Sequence, residues 1–290
     1  MTSLDVPDIT TPIHDRHTGS LLRAMLVDPR AWAGAVAVVA VVVVTLLGPL
    51  IAPTPPGEFV ARAYAAPAPG LPLGADNLGR DVLSRVLVGG GAFLVEGLIA
   101  AALGIGVGVV LGMLIGISGR RTAGFLLFLS DSVMVIPQIL LVLIILAAFG
   151  ANPVTLTVSV ALAQIAYTAR VVNAATQGVV TEDYFRAARA SGAGRAGLLF
   201  REVLPNIIGV VLVEFGVRLS VCFVALASLS YLGFSSGAVS WGAMIHENQG
   251  GITLQPLAVF APVIMIAVFL LGMNLVRDAL ARAVAGRSAR

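Results

Sequence analysis

The fold class predicted by the sequence is an all-α polytopic membrane protein, with six transmembrane helices and a polar cytoplasmic loop between the fourth and fifth. Three observations carry the prediction. The 290-residue chain is 58% hydrophobic and only 11% charged, with a mean hydropathy of +0.98, whereas about a quarter of the residues in a soluble domain are charged. Six apolar runs, 31–52, 92–117, 123–149, 154–172, 207–232 and 256–276, are of the length (about 20 residues) that a helix needs to cross hydrocarbon. Arginine, which supplies every one of the 18 basic residues, is unevenly shared among the segments between them. Helices are the expected spanning form because lipid offers no partner to an unpaired backbone group.

The arginines set the orientation. With the N-terminus inside, segments 1–30, 118–122, 173–206 and 277–290 hold Arg16, Arg23, Arg30, Arg120, Arg121, Arg186, Arg189, Arg195, Arg201, Arg277, Arg282, Arg287 and Arg290. The outer loops hold Arg62, Arg80 and Arg85. This positive-inside bias puts both termini and the 181–206 loop in the cytoplasm. The first run is longer than a signal-peptide core and follows a tail with four Asp, so it is expected to stay as a span. Cys222 stands alone and His14, His17 and His246 are scattered, so neither a disulfide framework nor a metal site is expected. No catalytic constellation is apparent, and a net charge of +3 is too small for a nucleic-acid surface.

Along the chain, a polar cytoplasmic tail (1–30) leads into the first span (31–52). The outer loop (53–91) begins with a proline-rich stretch, 53–72. From Leu78 it reads as an amphipathic helix with Val82, Leu83, Val86 and Leu87 on one side and Arg80, Asp81, Ser84 and Arg85 largely off it, lying in the outer interface. A five-helix core (92–276) follows. Its second span carries Gly104, Gly108, Gly112 and Gly116 at intervals of four, a smooth stripe for close helix packing. Pro137, six residues after Asp131, should kink the third span. Glu214 and Arg218 lie four apart in the fifth span with the acid first, the favourable order for a helical ion pair. Two readings stay open for them, a structural pair facing protein or a lining of a wet pathway. Trp241 reads as an aromatic anchor at the outer interface. The chain closes with a cytoplasmic tail, 277–290.

The 181–206 loop reads as two short helices about a hinge. Thr181 can cap the first, Glu182 and Asp183 suit its first turn, and Ala187, Ala188 and Ala190 favour helix. Gly192 and Gly194 break it through left-handed backbone angles. A second helix can run over 195–203 until Pro205 forces Leu204 out of the helical region. Tyr184, Ala187, Ala188 and Ser191 share one small, nearly flat side of the first helix.

This loop resembles that of the ABC import permeases, whose pattern is Glu-Ala-Ala, three residues, Gly, and Leu-Pro ending thirteen residues on. Ala187, Ala188, Gly192, Leu204 and Pro205 hold those places, while Arg186 replaces the usual Glu. Leu73, Gly74, Asp76, Leu78, Gly79, Arg80, Asp81, Val82, Leu83, Ser84 and Arg85 are similar to a motif of the oligopeptide, dipeptide and nickel importer permeases, with Ala75 in place of Thr. Residues 228–233, 240–242 and 274–280 resemble later motifs of that branch, with Leu226 where a Glu is usual.

The resemblance implies a permease subunit of a bacterial plasma membrane, embedded in membrane lipid and forming half of a translocation pathway for di- or oligopeptides by alternating access. It implies a coupling helix of Glu182, Asp183, Tyr184, Arg186, Ala187, Ala188, Arg189, Ser191 and Gly192 that docks on an ATPase. The implied partners are a second homologous permease, two ATPase subunits and an extracytoplasmic substrate-binding protein. ATP and Mg would be bound by the ATPases, since this chain lacks both lysine and a phosphate-binding loop, and no cofactor is expected in it. The rival reading is a self-contained channel or secondary transporter, which would show internal symmetry and need no docking loop.

Overall fold

The computed structural model describes residues 28–234 and 239–288, and among these the regular secondary structure is helical, with isolated β-bridges in the 53–81 loop. Among the described residues five helices are long and apolar enough to cross a membrane, or six if one sharply bent pair counts as a span. The predicted tail 1–30 lies almost wholly outside the described residues. Helix α1, Pro29–Ile51, starts at Asp28, whose carboxylate accepts the Arg30 N–H at 2.9 Å, with proline at the first helical position. Asp28 also accepts a bond from Arg282 Nη2 at 2.7 Å, fastening the start of α1 to the final helix, α11 (Leu257–Ser288). These two helices meet glycine to glycine. A Cβ on Gly34 would stand 2.6 Å from the Gly272 carbonyl oxygen, and one on Gly272 2.9 Å from that of Gly34.

Helix α2 (Val82–Val88) leads through Gly89 into α3 (Gly90–Ile117), together one 36-residue run. The glycine stripe of α3 lies against α6 (Pro153–Val180). A Cβ on Gly104 would meet the Ala161 carbonyl oxygen at 2.7 Å, on Gly108 the Thr168 Cβ at 2.6 Å, and on Gly112 the Ala169 carbonyl oxygen at 2.6 Å; on Gly116 it would strike Thr176. The fourth run, read as 154–172, is thus part of a longer, 28-residue helix. Its polar end is accommodated locally: Thr176 Oγ1 donates to the Val172 carbonyl at 2.7 Å and Gln177 Nε2 to the Gly116 carbonyl at 3.2 Å.

The third run departs from its expectation. Instead of a kinked span it forms two helices, α4 (Arg120–Val135) and α5 (Gln138–Phe149), bent by 89°. Pro137 bars the preceding residue from helical angles, and Ile136 accordingly sits at φ −78°, ψ 123°.

A further correction concerns the loop end of the fifth span. Short α8 (Arg195–Gly197), a π-helical turn (Leu198–Val203) and α9 (Leu204–Tyr231) run on without a break. Leu204 is helical, at φ −55°, ψ −45°. Pro205 crowds the carbonyl four residues back in an ordinary helix. The wider turn before it, in which the Leu204 N–H reaches the Leu199 carbonyl, lets the helix pass.

The core centres on Phe93 of α3, Phe223 of α9, Phe269 of α11 and Trp241 at the start of α10 (Trp241–Asn248). Ring centroids are 5.0 Å apart for Phe93–Phe223 and 4.7 Å for Phe223–Phe269, within the favourable range for aromatic pairs. Trp241 is therefore no interfacial anchor. It is fully buried, and its indole Nε1 donates to the Val86 carbonyl at 2.8 Å. The bundle thus has two ends, one carrying the 181–206 loop (the loop end) and one where residues 53–81 meet α10 (the far end).

Candidate functional site: the loop helix and three charged clusters

At the loop end, α7 spans Asp183–Ala190. Thr181 does not cap it. That residue ends α6 in helical geometry, and its hydroxyl donates to the Gly178 carbonyl at 2.7 Å. Glu182 takes the cap position without a side-chain bond, and Asp183 supplies the first-turn carboxylate. Phe185 is buried and seats the helix. Tyr184, Arg186, Ala187, Arg189 and Ser191 are exposed, and Ala188 is half-buried. Partial desolvation, with the nearby negative charges of Glu182 and Glu202, raises the Tyr184 hydroxyl above its ordinary value. Arg186 lies 3.7 Å from Asp183 in an exposed pair. Gly192 turns the chain at φ +82°, in open space, where a side chain would be strained by backbone geometry alone. Gly194 adopts φ −67°, so the break rests on Gly192. Behind α7 is a cavity of about 420 Å³ lined by Leu114, Ser118, Thr122, Phe185, Arg189 and Arg195.

The 73–85 motif builds the far end. Gly79, at φ +83°, lies so close to the Ala61 carbonyl that no side chain would fit. Asp81 caps α2 by accepting from the Leu83 N–H at 3.2 Å and the Ser84 N–H at 2.9 Å. Ser84 in turn accepts the Thr54 N–H at 3.1 Å. The expected surface helix is instead part of the core. Asp81, Ser84 and Arg85 are buried along with Val82 and Val86; the Arg85 guanidinium pairs through Nη1, while its Nε and Nη2 are buried without a partner among the described residues. Asp76, fully buried, pairs with Arg80 Nε at 2.6 Å and with Arg85 Nη1. Glu247 of α10 joins both arginines, at 2.6 Å to Arg80 and 2.8 Å to Arg85. Burial pushes the Asp76 carboxyl up, but hydrogen bonds from the Arg80 and Leu78 N–H groups and the Arg80 side chain, with the charge of Arg85, outweigh it and hold the group below 3.8. Asn248 Oδ1 accepts the Asn77 N–H at 2.9 Å, and Gln255 Nε2 donates to the Ala65 and Leu73 carbonyls at 3.0 and 3.2 Å.

Two ion pairs lie within the spans. Arg218 Nε donates to Glu214 Oε1 at 2.5 Å, both side chains largely covered, with the guanidinium 5.1 Å from the Tyr167 ring centroid. Asp131 of α4 accepts a bond from Arg170 Nη1 of α6, and here both side chains are about half exposed. Sequence reasoning does not join Asp131 to Arg170, nor Glu247 to the far-end arginines. The partners are 39 residues apart in the first case and 167 and 162 in the second, beyond any spacing rule. A mid-span Asp and an arginine within one turn of a tyrosine are the only signals. Among the described residues no cluster of His, Cys, Asp and Glu could hold a metal ion.

Residues 108–289 match the protein family described as the binding-protein-dependent transport system inner membrane component. The chain is 31% identical over 210 residues to the glutathione transport system permease protein of Pectobacterium atrosepticum, covering 72% of this chain and 70% of the relative. It is 29% identical over 259 residues to the di/tripeptide transport system permease protein of Pseudomonas aeruginosa, covering 86% of each. Against the oligopeptide transport system permease protein of Bacillus subtilis the identity is 29%, over 71% of this chain and 68% of the relative. The match covers well over half the sequence and takes in the end of the stripe helix from Gly108, the broken span, the hinged loop and the last two spans, so the chain belongs to this family, as a multi-pass ABC permease subunit of the peptide type.

Proposed function

We propose that this permease forms half of the pathway of an ATP-driven importer for di- or oligopeptides, working by alternating access. It pairs with a homologous permease, rests on two separate ATPase subunits that bind ATP and Mg, and receives cargo from an extracytoplasmic binding protein. The loop end faces the cytoplasm and the far end faces outward, in keeping with the arginine bias. The observation that carries the reading is α7. A buried phenylalanine fixes it to the bundle while Tyr184, Ala187 and Ser191 leave a low-relief outward face, and a left-handed glycine sets its exit angle. The named cargoes of the relatives, glutathione and short peptides, support the substrate class.

Gly192→Pro is the test. Proline cannot take φ +82°, so the exit from α7 must change while the spans remain untouched. The variant should insert normally, lose ATPase subunits on purification and lose ATP-dependent uptake in proteoliposomes. Wild-type uptake together with full ATPase retention in this variant would remove the docking role from α7.

A further inference from the structure

Arg170 and Asp131 are charges in an unusual place. Arg170 stands ten residues from the end of α6 at Val180, about 15 Å at the rise of a helix. The 28-residue helix is about 42 Å long and the hydrocarbon about 30 Å thick, which puts this charge about 9 Å below the boundary if the helix is centred. Asp131 lies at a matching distance, about 16 Å along α4 from Arg120. The face they occupy is turned away from the packed core. At about 100° per residue, Arg170 is about 200° round α6 from both Thr168 and Val172, two of the residues whose side chains meet the glycine stripe. Tyr167, one turn from Arg170, lies on the same side, under the guanidinium of Arg218.

The two intramembrane pairs differ in cover. Glu214 and Arg218 are 8% and 14% exposed, whereas Asp131 and Arg170 are 47% and 55% exposed. Charges left open at this depth cannot face lipid without a large penalty, so water or protein covers them in the assembled transporter. Their hydrogen-bonding capacity is only part used. Among the described residues Arg170 spends Nη1 on Asp131 and keeps Nη2 and Nε, while Asp131 keeps Oδ2. A carboxylate could be received on the first group and an ammonium on the second. The pair also sits beside the break at Pro137, where α4 gives way to α5, so it ties a bent span to a straight one.

We infer that Asp131 and Arg170 line a water-filled translocation pathway and take up the opposite charges of a zwitterionic cargo as it passes. This rests on the proposed import function. The pair opens when the cargo ammonium meets Asp131 and the cargo carboxylate meets Arg170, and it closes again behind it.

The assembled transporter in proteoliposomes, with its binding protein presenting unblocked dialanine, tests this. Asp131→Asn and Arg170→Gln should each lower uptake roughly tenfold or more, the effect of losing one charge-assisted bond. The exchange variant carrying Asp131→Arg and Arg170→Asp should assemble and keep binding-protein-stimulated ATP hydrolysis, yet stay as impaired as the single variants. Uptake restored by the exchange would show a mere clamp and overturn the inference. A second arm does not depend on these variants folding. Ala174→Cys, exposed on the same side of α6, in a Cys222→Ala background, should react with a charged, membrane-impermeant thiol reagent in one nucleotide state. A site unreactive in every state, covered by the second permease, would also overturn it. Failure of wild type to import dialanine would strike the peptide-import reading instead and leave the labelling arm to decide.

Discussion

Asp76 shows how much of the far end hangs on a single carboxylate. It pairs with two arginines, one of them wholly buried, and shares their charge with Glu247. Asp76→Asn leaves Arg85 with Glu247 alone and should cost about 3–5 kcal/mol, the usual effect of removing one partner from a buried pair. Limited proteolysis should then cut the 53–81 loop, while Glu247→Gln, at the more exposed partner, should do less. Because the folded carboxyl lies below 3.8, its contribution is fully present above that pH and is lost as acid takes the pH down through the folded value. Protection of the loop should therefore be flat at neutral pH and fall only in strong acid. The covered pair in α9 makes a second case. Glu214→Leu or Arg218→Leu alone should lower thermal stability in detergent, and the double variant should recover much of the loss; additive losses without rescue would argue against a structural pair. Residue types are legible here and partners are not. Charge and hydropathy alone place Arg85 on the wet side of a helix, because neither can reveal the Glu247 carboxylate waiting on a helix 162 residues away.

Spacing at the level of the helix is a better guide. The four glycines of α3 sit against α6, and they differ sharply from Gly106, around which a Cβ would find open space. Gly104→Ala and Gly112→Ala should each push α3 off a carbonyl oxygen of α6, lowering thermal stability by about 1–3 kcal/mol as other overpacked sites do. Gly106→Ala should be neutral or mildly stabilising, since alanine is the better helix former. Equal losses at all three would detach the effect from packing. Proline is harder to read than glycine. Pro137 breaks a span outright, whereas Pro205, expected to stop one, is absorbed by a π-helical turn. The local rule is the same at both sites. What differs is that the backbone before Pro205 widens into a π-helical turn, whereas before Pro137 the helix ends at Ile136.

For the whole molecule, hydropathy and arginine placement are enough to give the class and the number of apolar runs, because both follow from the bilayer as solvent. How the far-end loop folds back over the bundle lies outside that logic. The proposed orientation is checked by cysteines at Ser118, Arg195 and Gly70. The first two should react with an impermeant reagent only from the cytoplasmic side and the third only from outside; reversal at any one would overturn the six-span topology. The uninterrupted helical run from Arg195 to Tyr231 has a mechanical consequence. Its 37 residues make a strut about 55 Å long, stiff through its length because no loop intervenes. One end is the exit of the hinged loop, and at the other the Tyr231 hydroxyl donates to Gln249 Oε1 at 2.6 Å, on the segment that closes the far end. A tilt of about 10° about one end would swing the other by about 10 Å, so a change of angle at one end of the bundle is carried to the other.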